Sequence, residues 1–450
     1  MLDVPTLWAE SREKRKPSAA FVVIGHIDHG KSTLMGRLLL DTGAVQQRDI
    51  DKYQKQAAEM GKESFALAWV MDATEDEREN GVTIDIAQHH FSTEKADFTI
   101  LDAPGHRDFV PNMIAGASMA DLGVLVVDAN QLESGMKGQT KEHMLLAKAI
   151  GIKRMIVAVN KMDSTTPAWD QVVFESVKSE VLKLLVEIGF GSDDVKFVPC
   201  AGLTGDNVAK PLPADGPTSW VAEQSGSLIT ALEKSANATK TPVGLVKQPF
   251  RLRINDVLST SGGKTPDSIA GRINAGNVQV GDSIVLQPCG EQADVKRIEV
   301  ANEPVDYAVA GQIATVQLIT KAPEILDENV RKGDVASSSS DVIAVVTDFT
   351  AKFTAVESLW PRPMEVHIGP LKKGGSVANP IVAKLDKDDG VVKKKPKVVL
   401  PGQFARIKVE VQDGLALDVD TAVVLRGTEG LLGYCVVESL GARKVAASSS

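Results

Sequence analysis

The chain has 450 residues, of which 43% are hydrophobic and 24% charged, and its formal net charge is −9. This composition is typical of a soluble protein with several globular domains, and the acidic balance excludes a global field that would favour nucleic acid. The three cysteines, Cys200, Cys289 and Cys435, are far apart in sequence. Their spacing excludes a disulfide framework and favours a reducing, cytoplasmic setting. No apolar run approaches the length of a membrane span, so we expect no membrane partner.

The first half of the chain, up to about residue 240, alternates short apolar runs with helical patterns. The apolar runs predict buried strands at Phe21–Ile24, Phe98–Leu101, Leu122–Asp128, Met155–Val159 and Lys196–Pro199. Between them, the pattern predicts helices at Ser32–Leu40, Thr140–Ile150 and Val172–Ile188. Such alternation predicts an α/β domain with a parallel sheet and helices on both of its faces.

The second half has short strand-like runs separated by Gly, Pro, Asp and Ser, which predict two antiparallel β-barrels. The predicted strands are Phe250–Val257, Ser268–Ile273, Asp282–Leu286, Gln312–Ile319, Val342–Thr350, Arg362–Ile368, Phe404–Val411 and Ala422–Leu425. We expect a linker at residues 1–19, the α/β domain at 20–240, barrels at 248–338 and 341–442, and a flexible tail at 443–450. The linker before the barrels lies in Asn237–Gln248, and a Ser-rich break at Ser337–Asp341 separates them.

Residues 25–32 match the phosphate-binding pattern G-x-x-x-x-G-K-[ST], following a predicted strand and opening a predicted helix. Gly25 and Gly30 allow the backbone N–H groups to face phosphates. Lys31 supplies a charge to the β- and γ-phosphates, and the Ser32 hydroxyl is a Mg²⁺ ligand. The predicted nucleotide contacts in this loop are His26, Ile27, Asp28, His29, Gly30, Lys31, Ser32 and Thr33.

Two further motifs follow predicted strands. Asp102-Ala103-Pro104-Gly105 places a carboxylate where it can hold a Mg²⁺-bound water, although alone it also fits an ordinary turn. In Asn160-Lys161-Met162-Asp163, the Asp163 carboxylate can accept hydrogen bonds from N1–H and the 2-amino group of guanine, which adenine lacks. Three motifs in this order predict a site for GTP or GDP with Mg²⁺.

Cys200-Ala201-Gly202 follows the last strand of the predicted α/β domain and is the candidate for a fourth, base-side element. The usual version has Ser-Ala or Ser-Gly, and Ala201 stands where Ser is common. The expected contact there is a backbone N–H to the guanine O6, so we expect the change to be tolerated.

With these motifs and His106 after Gly105, nearly the whole chain resembles the elongation-factor group of translational GTPases. The resemblance implies a GTPase domain followed by two barrels. It also implies that Arg78–Ile84 is the first switch segment, whose Thr83 closes onto Mg²⁺ and the γ-phosphate. The implied catalytic residues are His106, Thr83 and Gly105, and the implied metal ligands are Ser32, Thr83 and Asp102.

Within that group, residues 105–114 help to separate three subfamilies. Factors that deliver aminoacyl-tRNA share Arg107-Asp108 but usually have Lys in place of Pro111, whereas class II release factors share the Pro and usually have Lys-Ser at 107–108. Both features together resemble the ribosome-rescue GTPase. Further segments that resemble this subfamily are Gly271–Gln279, Asn302–Asp306 and Lys393–Lys397. The resemblance implies no-go decay, a Pelota-type partner, the ribosome as activator, and a monomer when alone.

Other interpretations stay open at this point. The chain could deliver aminoacyl-tRNA, act as a class II release factor, or hold GTP as a scaffold without hydrolysing it, although both His106 and Thr83 are present. Two features depart from rescue factors: the region before the first predicted strand is short, and Thr421-Ala422 replaces a Gly-Arg pair. Lys393–Lys395 is either a solvated hairpin turn or a contact with RNA or a partner.

Overall fold

The computed structural model describes two compact units, one formed by Lys16–Lys240 and one by Met1–Arg15 together with Thr241–Ser450. Within them, the described residues are 2–11, 14–59, 66–71, 87–102, 110–131, 139–213, 215–224, 226–239, 241–259, 265–321, 324–378, 381–428 and 430–443.

The first unit is built on a six-stranded sheet in the order β2-β3-β1-β4-β5-β6. Its strands are β1 (Ser18–Gly25), β2 (Ala87–Ser92), β3 (Asp97–Asp102), β4 (Leu122–Asp128), β5 (Met155–Asn160) and β6 (Val195–Pro199). The sheet is mixed, because β2 pairs with β3 in antiparallel orientation while the other pairs are parallel. The expectation of a parallel sheet is therefore wrong at this edge.

Helices of this unit lie at Lys31–Asp41, Gln47–Glu59, Val110–Ala117, Gln139–Ala149, Gln171–Ile188, Ser219–Ala222 and Leu228–Ala238. All seven residues of β4 are buried, as expected for a central strand covered on both faces. The carboxyl ends of the parallel strands meet at one edge of the sheet. All the predicted nucleotide motifs follow strands at that edge.

The second unit contains two closed six-stranded antiparallel barrels. In the first, the ring β10-β15-β7-β8-β14-β11 closes back on β10. Its strands are β7 (Arg251–Leu258), β8 (Ser268–Ala275), β10 (Ser283–Gln287), β11 (Glu291–Val300), β14 (Ile313–Thr320) and β15 (Val335–Ser338). Short strands flank the ring at β9 (Asn277–Gln279), β12 (Glu303–Val305) and β13 (Tyr307–Val309). Burial alternates along these strands, so one face of each fills the barrel.

In the second barrel, the ring β16-β23-β22-β17-β18-β21 closes back on β16. Its strands are β16 (Val345–Ala355), β17 (Pro363–Ile368), β18 (Leu371–Val377), β21 (Phe404–Ala416), β22 (Ala422–Gly427) and β23 (Gly430–Leu440). A hairpin of β19 (Ala383–Leu385) and β20 (Val391–Lys394) extends from β21. Lys393 and Lys394 therefore lie on a strand and not in a hairpin turn.

Helices also lie in ranges that the sequence assigned to linkers. Val4–Ser11 is helical within residues 1–19, and Val243–Val246 is helical within Asn237–Gln248. A short helix at Ile325–Asn329 precedes β15.

Candidate nucleotide site

The phosphate loop connects β1 to the helix Lys31–Asp41. Gly25 and Gly30 have positive φ values of 146° and 83°, which favour glycine. A Cβ atom at Gly25 would lie 2.4 Å from the Val126 carbonyl oxygen, and one at Gly30 would lie 2.7 Å from Nδ2 of Asn160. Since the first N–H groups of a helix have no carbonyl partner within it, the loop ends in donors suited to phosphate oxygens.

Lys31 opens this helix and directs its ammonium group back across the loop, where Nζ donates to the His26 carbonyl at 3.0 Å. Burial lowers the pKa of Lys31, and the carboxylates of Asp102 and Asp28 oppose that shift. Asp102 is fully buried at the end of β3. The loop thus brings one cation, orphan N–H donors and a buried carboxylate together, which fits a nucleotide phosphate with Mg²⁺ held by Ser32 and Asp102.

Asn160 joins the phosphate loop to the base-side loop. Its Nδ2 donates to the His29 carbonyl at 2.9 Å, and its Oδ1 accepts from the Gly202 N–H at 2.8 Å. Asn160 is buried at the end of β5. Because both ends of one amide are engaged, this side chain fixes the spacing between the two loops.

Lys161 is held in a left-handed conformation, with φ of 61°, and connects three elements. Its Nζ donates to the Asp28 carbonyl at 2.8 Å and pairs with the Asp128 carboxylate at 2.8 Å. Burial acts to raise the pKa of Asp128, but hydrogen bonds from Lys161 and from Asn130 outweigh it, so that pKa is lowered. The Asp128 carboxylate therefore stays ionised, and its pairing with Lys161 holds the phosphate loop against β4.

Asp163, the predicted guanine ligand, is half-buried in the turn Met162–Ser164 that follows Lys161. Burial raises the pKa of Cys200 above its usual range, and the negative charge of Asp163 adds a smaller increase. The thiol therefore stays neutral beside the carboxylate. The Cys200 N–H donates to the backbone carbonyl of Val159 at 2.9 Å, and the Ala201 N–H donates to the backbone carbonyl of Asp206 at 3.0 Å. If the Ala201 N–H also contacted the guanine O6, this one donor would be shared between O6 and the Asp206 carbonyl.

Three histidines lie around the phosphate loop. The rings of His26 and His29 meet edge to face at 5.3 Å between centroids, and His29 Nδ1 lies 3.2 Å from the Val126 carbonyl. Burial lowers the pKa of His29 and of His143 to about 4, with Lys31 and His26 adding to the shift at His143. The rings of His29 and His143 are therefore neutral at pH 7, and Lys31 is a cation that the loop offers to a phosphate.

The structure brings the predicted residues of the phosphate loop, Asp102, Asn160–Asp163 and Cys200–Gly202 to one edge of the sheet. Thr83, Gly105 and His106 lie outside the described residues. Sequence reasoning did not assign roles to Asp128, Asn130 and His143. A signal existed for Asp128, because it is a polar residue at the carboxyl end of a predicted buried strand.

The family model for the elongation factor Tu GTP-binding domain matches residues 16–241. "Elongation factor 1-alpha" of Picrophilus torridus is 40% identical over 409 residues, covering 90% of this chain and 92% of that protein. The chain belongs to the EF-Tu/EF-1α group of translational GTPases. It is therefore a GTPase and a GTP-dependent translation factor, and it binds GTP or GDP with Mg²⁺.

Other relatives of this GTPase agree with the family. "Elongation factor 1-alpha" of Thermoplasma acidophilum is 38% identical over 407 residues, covering 88% of this chain and 90% of that protein. Among solved structures, the S. cerevisiae Ski7 GTPase-like domain bound to GTP matches with a TM-score of 0.76 at 18% identity, covering 97% of this chain and 99% of that one. The likeness to the Ski7 domain supports the assignment of the fold. No helix in the described parts of the chain is long and apolar enough to cross a membrane.

Proposed function

We propose that this GTPase acts in ribosome rescue: its GTP form binds a Pelota-type, tRNA-shaped protein and works with it on stalled cytoplasmic ribosomes in mRNA surveillance and no-go decay. The observation that carries the proposal is the combination of Arg107-Asp108 with Pro111. The resemblances in the first barrel, at Gly271–Gln279 and Asn302–Asp306, and in the second barrel, at Lys393–Lys397, support the same subfamily.

Pro111 lies in the described part of this segment, as the second residue of the helix Val110–Ala117. Proline is accepted in a first helical turn because the N–H that it lacks has no partner there. Pro111 is therefore compatible with the helix at this position. A proline also removes the cation that a lysine would present, which suits a partner other than a tRNA backbone.

For the hydrolysis step, we assign roles to the predicted residues. Lys31 and the N-terminus of its helix bind the phosphates, and Ser32, Asp102 and Thr83 would hold Mg²⁺, which neutralises charge on the β- and γ-phosphates. Gly105 offers its N–H to the γ-phosphate, and His106 orients the attacking water or stabilises the developing charge. Loss of the γ-phosphate releases Thr83 and Gly105 and so ends binding of the partner.

A second candidate function is delivery of aminoacyl-tRNA. It is favoured by the relatives named elongation factor 1-alpha, which are 36% to 40% identical to this chain. The net charge of −9 argues against it, since a carrier of whole tRNA gains from a basic surface.

The test is capture from cell extract by the immobilised full chain, loaded either with a non-hydrolysable GTP analogue or with GDP. We expect a Pelota-type protein to be retained in the GTP state, and aminoacyl-tRNA to pass through. GTP-dependent retention of aminoacyl-tRNA would assign the delivery function, and retention of a class I release factor would assign the release function. A chain that captures partners but leaves GTP intact on ribosomes would be a scaffold.

A further inference from the structure

The carboxyl end of β4 carries two polar residues, Asp128 and Asn130, that belong to none of the nucleotide motifs. Asp128 is the last residue of β4 and is buried, whereas Asn130 lies two residues beyond it and is exposed. Both contact the turn that follows β5, the neighbouring strand in the sheet. We propose that Asp128 is a positioning residue for the nucleotide, which acts through Lys161 and sets the rate at which GDP is released.

Lys161 needs a restraint from outside its own turn. Its backbone has φ of 61° and ψ of 35°, a left-handed conformation that a non-glycine residue keeps only where surrounding contacts hold it. The ammonium group makes two such contacts, one with the Asp28 carbonyl and one with the Asp128 carboxylate, each at 2.8 Å. Among the residues that the structure describes, Asp128 is the one carboxylate that pairs with Lys161. Without it, a single uncharged acceptor would hold the ammonium group.

Asn130 extends this restraint to the rest of the turn. Its N–H donates to Oδ1 of Asp128 at 2.9 Å, so the two residues act as one unit. Its Nδ2 donates to the Ser164 hydroxyl at 3.1 Å and to the Lys161 carbonyl at 3.4 Å. Asp163, the predicted guanine ligand, lies between these two residues in sequence. The end of β4 therefore holds the base-side turn through Asn130 and the phosphate loop through Lys161.

Burial makes this pair stronger than the other ion pairs in the described part of the first unit. The Asp128 side chain is 2% exposed, whereas the carboxylates of the other pairs are 11% to 48% exposed. A buried charge is screened less by water and salt, so its attraction for Lys161 is retained. A nucleotide with its base at Asp163 and its phosphates at Lys31 spans the two elements that the pair joins. A weaker pair should therefore lower the barrier to release.

The test measures release of fluorescent GDP from the full chain by stopped flow, with excess unlabelled GDP as the chase. Asp128→Ala should release GDP at least about tenfold faster, because a hydrogen bond between charged groups is lost. Association should change by less than about threefold, since related variants differ mainly in dissociation. Asp128→Asn keeps an uncharged acceptor and should lie between Asp128→Ala and the wild type. Asp121→Ala is the matched control: this carboxylate, at the opposite end of β4, accepts the Ala20 N–H at 2.8 Å.

A double-mutant cycle with Lys161→Met separates positioning from a general structural role. If Asp128 acts through Lys161, Asp128→Ala/Lys161→Met should release GDP at the rate of Lys161→Met alone. Additive effects of the two substitutions would overturn the proposal, because Asp128 would then act by another route.

Two further outcomes would also overturn the proposal. One is a wild-type release rate in Asp128→Ala, and the other is equal acceleration by Asp121→Ala, which would indicate general loosening of the sheet. Should Asp128→Ala not fold, Asn130→Ala tests the same unit at an exposed position, and it should release GDP about two- to tenfold faster because its hydrogen bonds to the turn are lost. These measurements use neither ribosomes nor a Pelota-type protein, so their failure is distinct from failure of the proposed function.

Discussion

We assign the selection of guanine to one carboxylate, that of Asp163. In Asp163→Asn, an amide donor would face the N1–H and 2-amino donors of guanine, leaving polar groups unpaired at a cost of about 1–3 kcal/mol. We expect GTP to bind roughly five- to a hundredfold more weakly and xanthosine triphosphate to bind better than to the wild type. Fluorescent-nucleotide titrations measure both affinities. Asp193→Asn, an exposed site in another turn, is the matched control. Unchanged GTP affinity with no gain for the xanthine nucleotide would falsify the base-side assignment.

His106 follows Gly105 directly, so the assigned contact of Gly105 with the γ-phosphate would bring this imidazole near the approach of the attacking water. We assign His106 no contact to base, ribose or Mg²⁺, so we expect His106→Ala to leave the nucleotide affinity at the wild-type value. Ribosome-stimulated hydrolysis should fall by roughly 10²–10⁴, the usual contribution of a positioned acid-base group. Single-turnover hydrolysis on ribosomes, with the partner present, measures it. Normal hydrolysis would remove His106 from the mechanism.

Residue types and their positions after strands were sufficient to predict the phosphate loop and the Asn160–Asp163 turn, because both motifs are continuous in sequence. The contacts that hold these motifs together were not predictable in the same way. Asp128, at the end of β4, and Asn130, two residues beyond it, meet Lys161 after β5, and that pairing depends on sheet order. Burial of His29 and His143 is also a property of packing, which residue spacing does not reveal.

At the scale of elements, continuous apolar runs predicted four strands of the first sheet to within one residue, whereas β1 begins three residues before the predicted Phe21. The strand β2 and the helix Gln47–Glu59 were missed for a common reason, which is that each has little buried surface. Only Phe91 of β2 is fully buried, and only Ile50 and Ala57 of the helix. An edge strand and a surface helix have no continuous apolar run, so their position is fixed by tertiary contacts that periodicity does not show.

Close packing joins the phosphate-loop helix, Lys31–Asp41, to residues 66–71. A Cβ atom at Gly36 would lie 2.0 Å from the Leu67 carbonyl oxygen, a contact that requires the backbone to move. Gly36→Ala should therefore destabilise the first unit by about 1–3 kcal/mol through overpacking, although alanine in a helix interior normally gains about 0.5–1 kcal/mol. Thermal unfolding of the nucleotide-bound chain measures this change. Gly244→Ala, where a Cβ meets nothing within 4 Å, is the control. Stabilisation by Gly36→Ala would contradict the close contact.

A buried carboxylate makes the stability of the first barrel depend on pH. Burial raises the pKa of Asp334 to about 6, against the hydrogen bond from the Arg331 N–H and the nearby cations. The folded state therefore holds this proton more tightly than the unfolded state does. The stabilisation that comes from binding this proton is full below about pH 4 and is lost as the pH rises to about 6.

In Asp334→Asn, the carboxylate charge is absent at every pH. We expect the variant to match the wild type near pH 4 and to exceed its free energy of unfolding by up to about 3 kcal/mol at pH 7, the equivalent of two pKa units. Denaturant unfolding at a series of pH values measures the difference. Asp282→Asn removes a half-buried carboxylate that also accepts a backbone N–H, from Gln279 at 2.9 Å, and serves as the control. A pH-independent difference would rule out Asp334 as the titrating group.

At the scale of the whole molecule, the first residues of the chain belong to the unit that contains the barrels, although the GTPase domain separates them in sequence. Val4 is fully buried with Val246 and Val309, and the Leu2 N–H donates to Oε1 of Gln279 at 2.8 Å. Arg15 lies over the Trp8 ring at 4.6 Å. The sequence predicted a linker here because the helix Val4–Ser11 is only eight residues long and buries one side chain, Val4. So few apolar contacts leave no clear helical periodicity in the sequence.

The docked helix should stabilise the barrels without contributing to nucleotide binding. Val4→Asp places a charge where the side chain is fully buried, so we expect the barrel transition to lose at least about 1.5–3 kcal/mol, the contribution of burying a valine. Leu7→Asp, in the same helix at 39% exposure, should have a much smaller effect. Calorimetry with and without GDP separates the two units, because only the transition of the GTPase domain should rise with nucleotide. Equal effects of the two substitutions, or a fall in GDP affinity with Val4→Asp, would show that the helix does not act through the barrel unit.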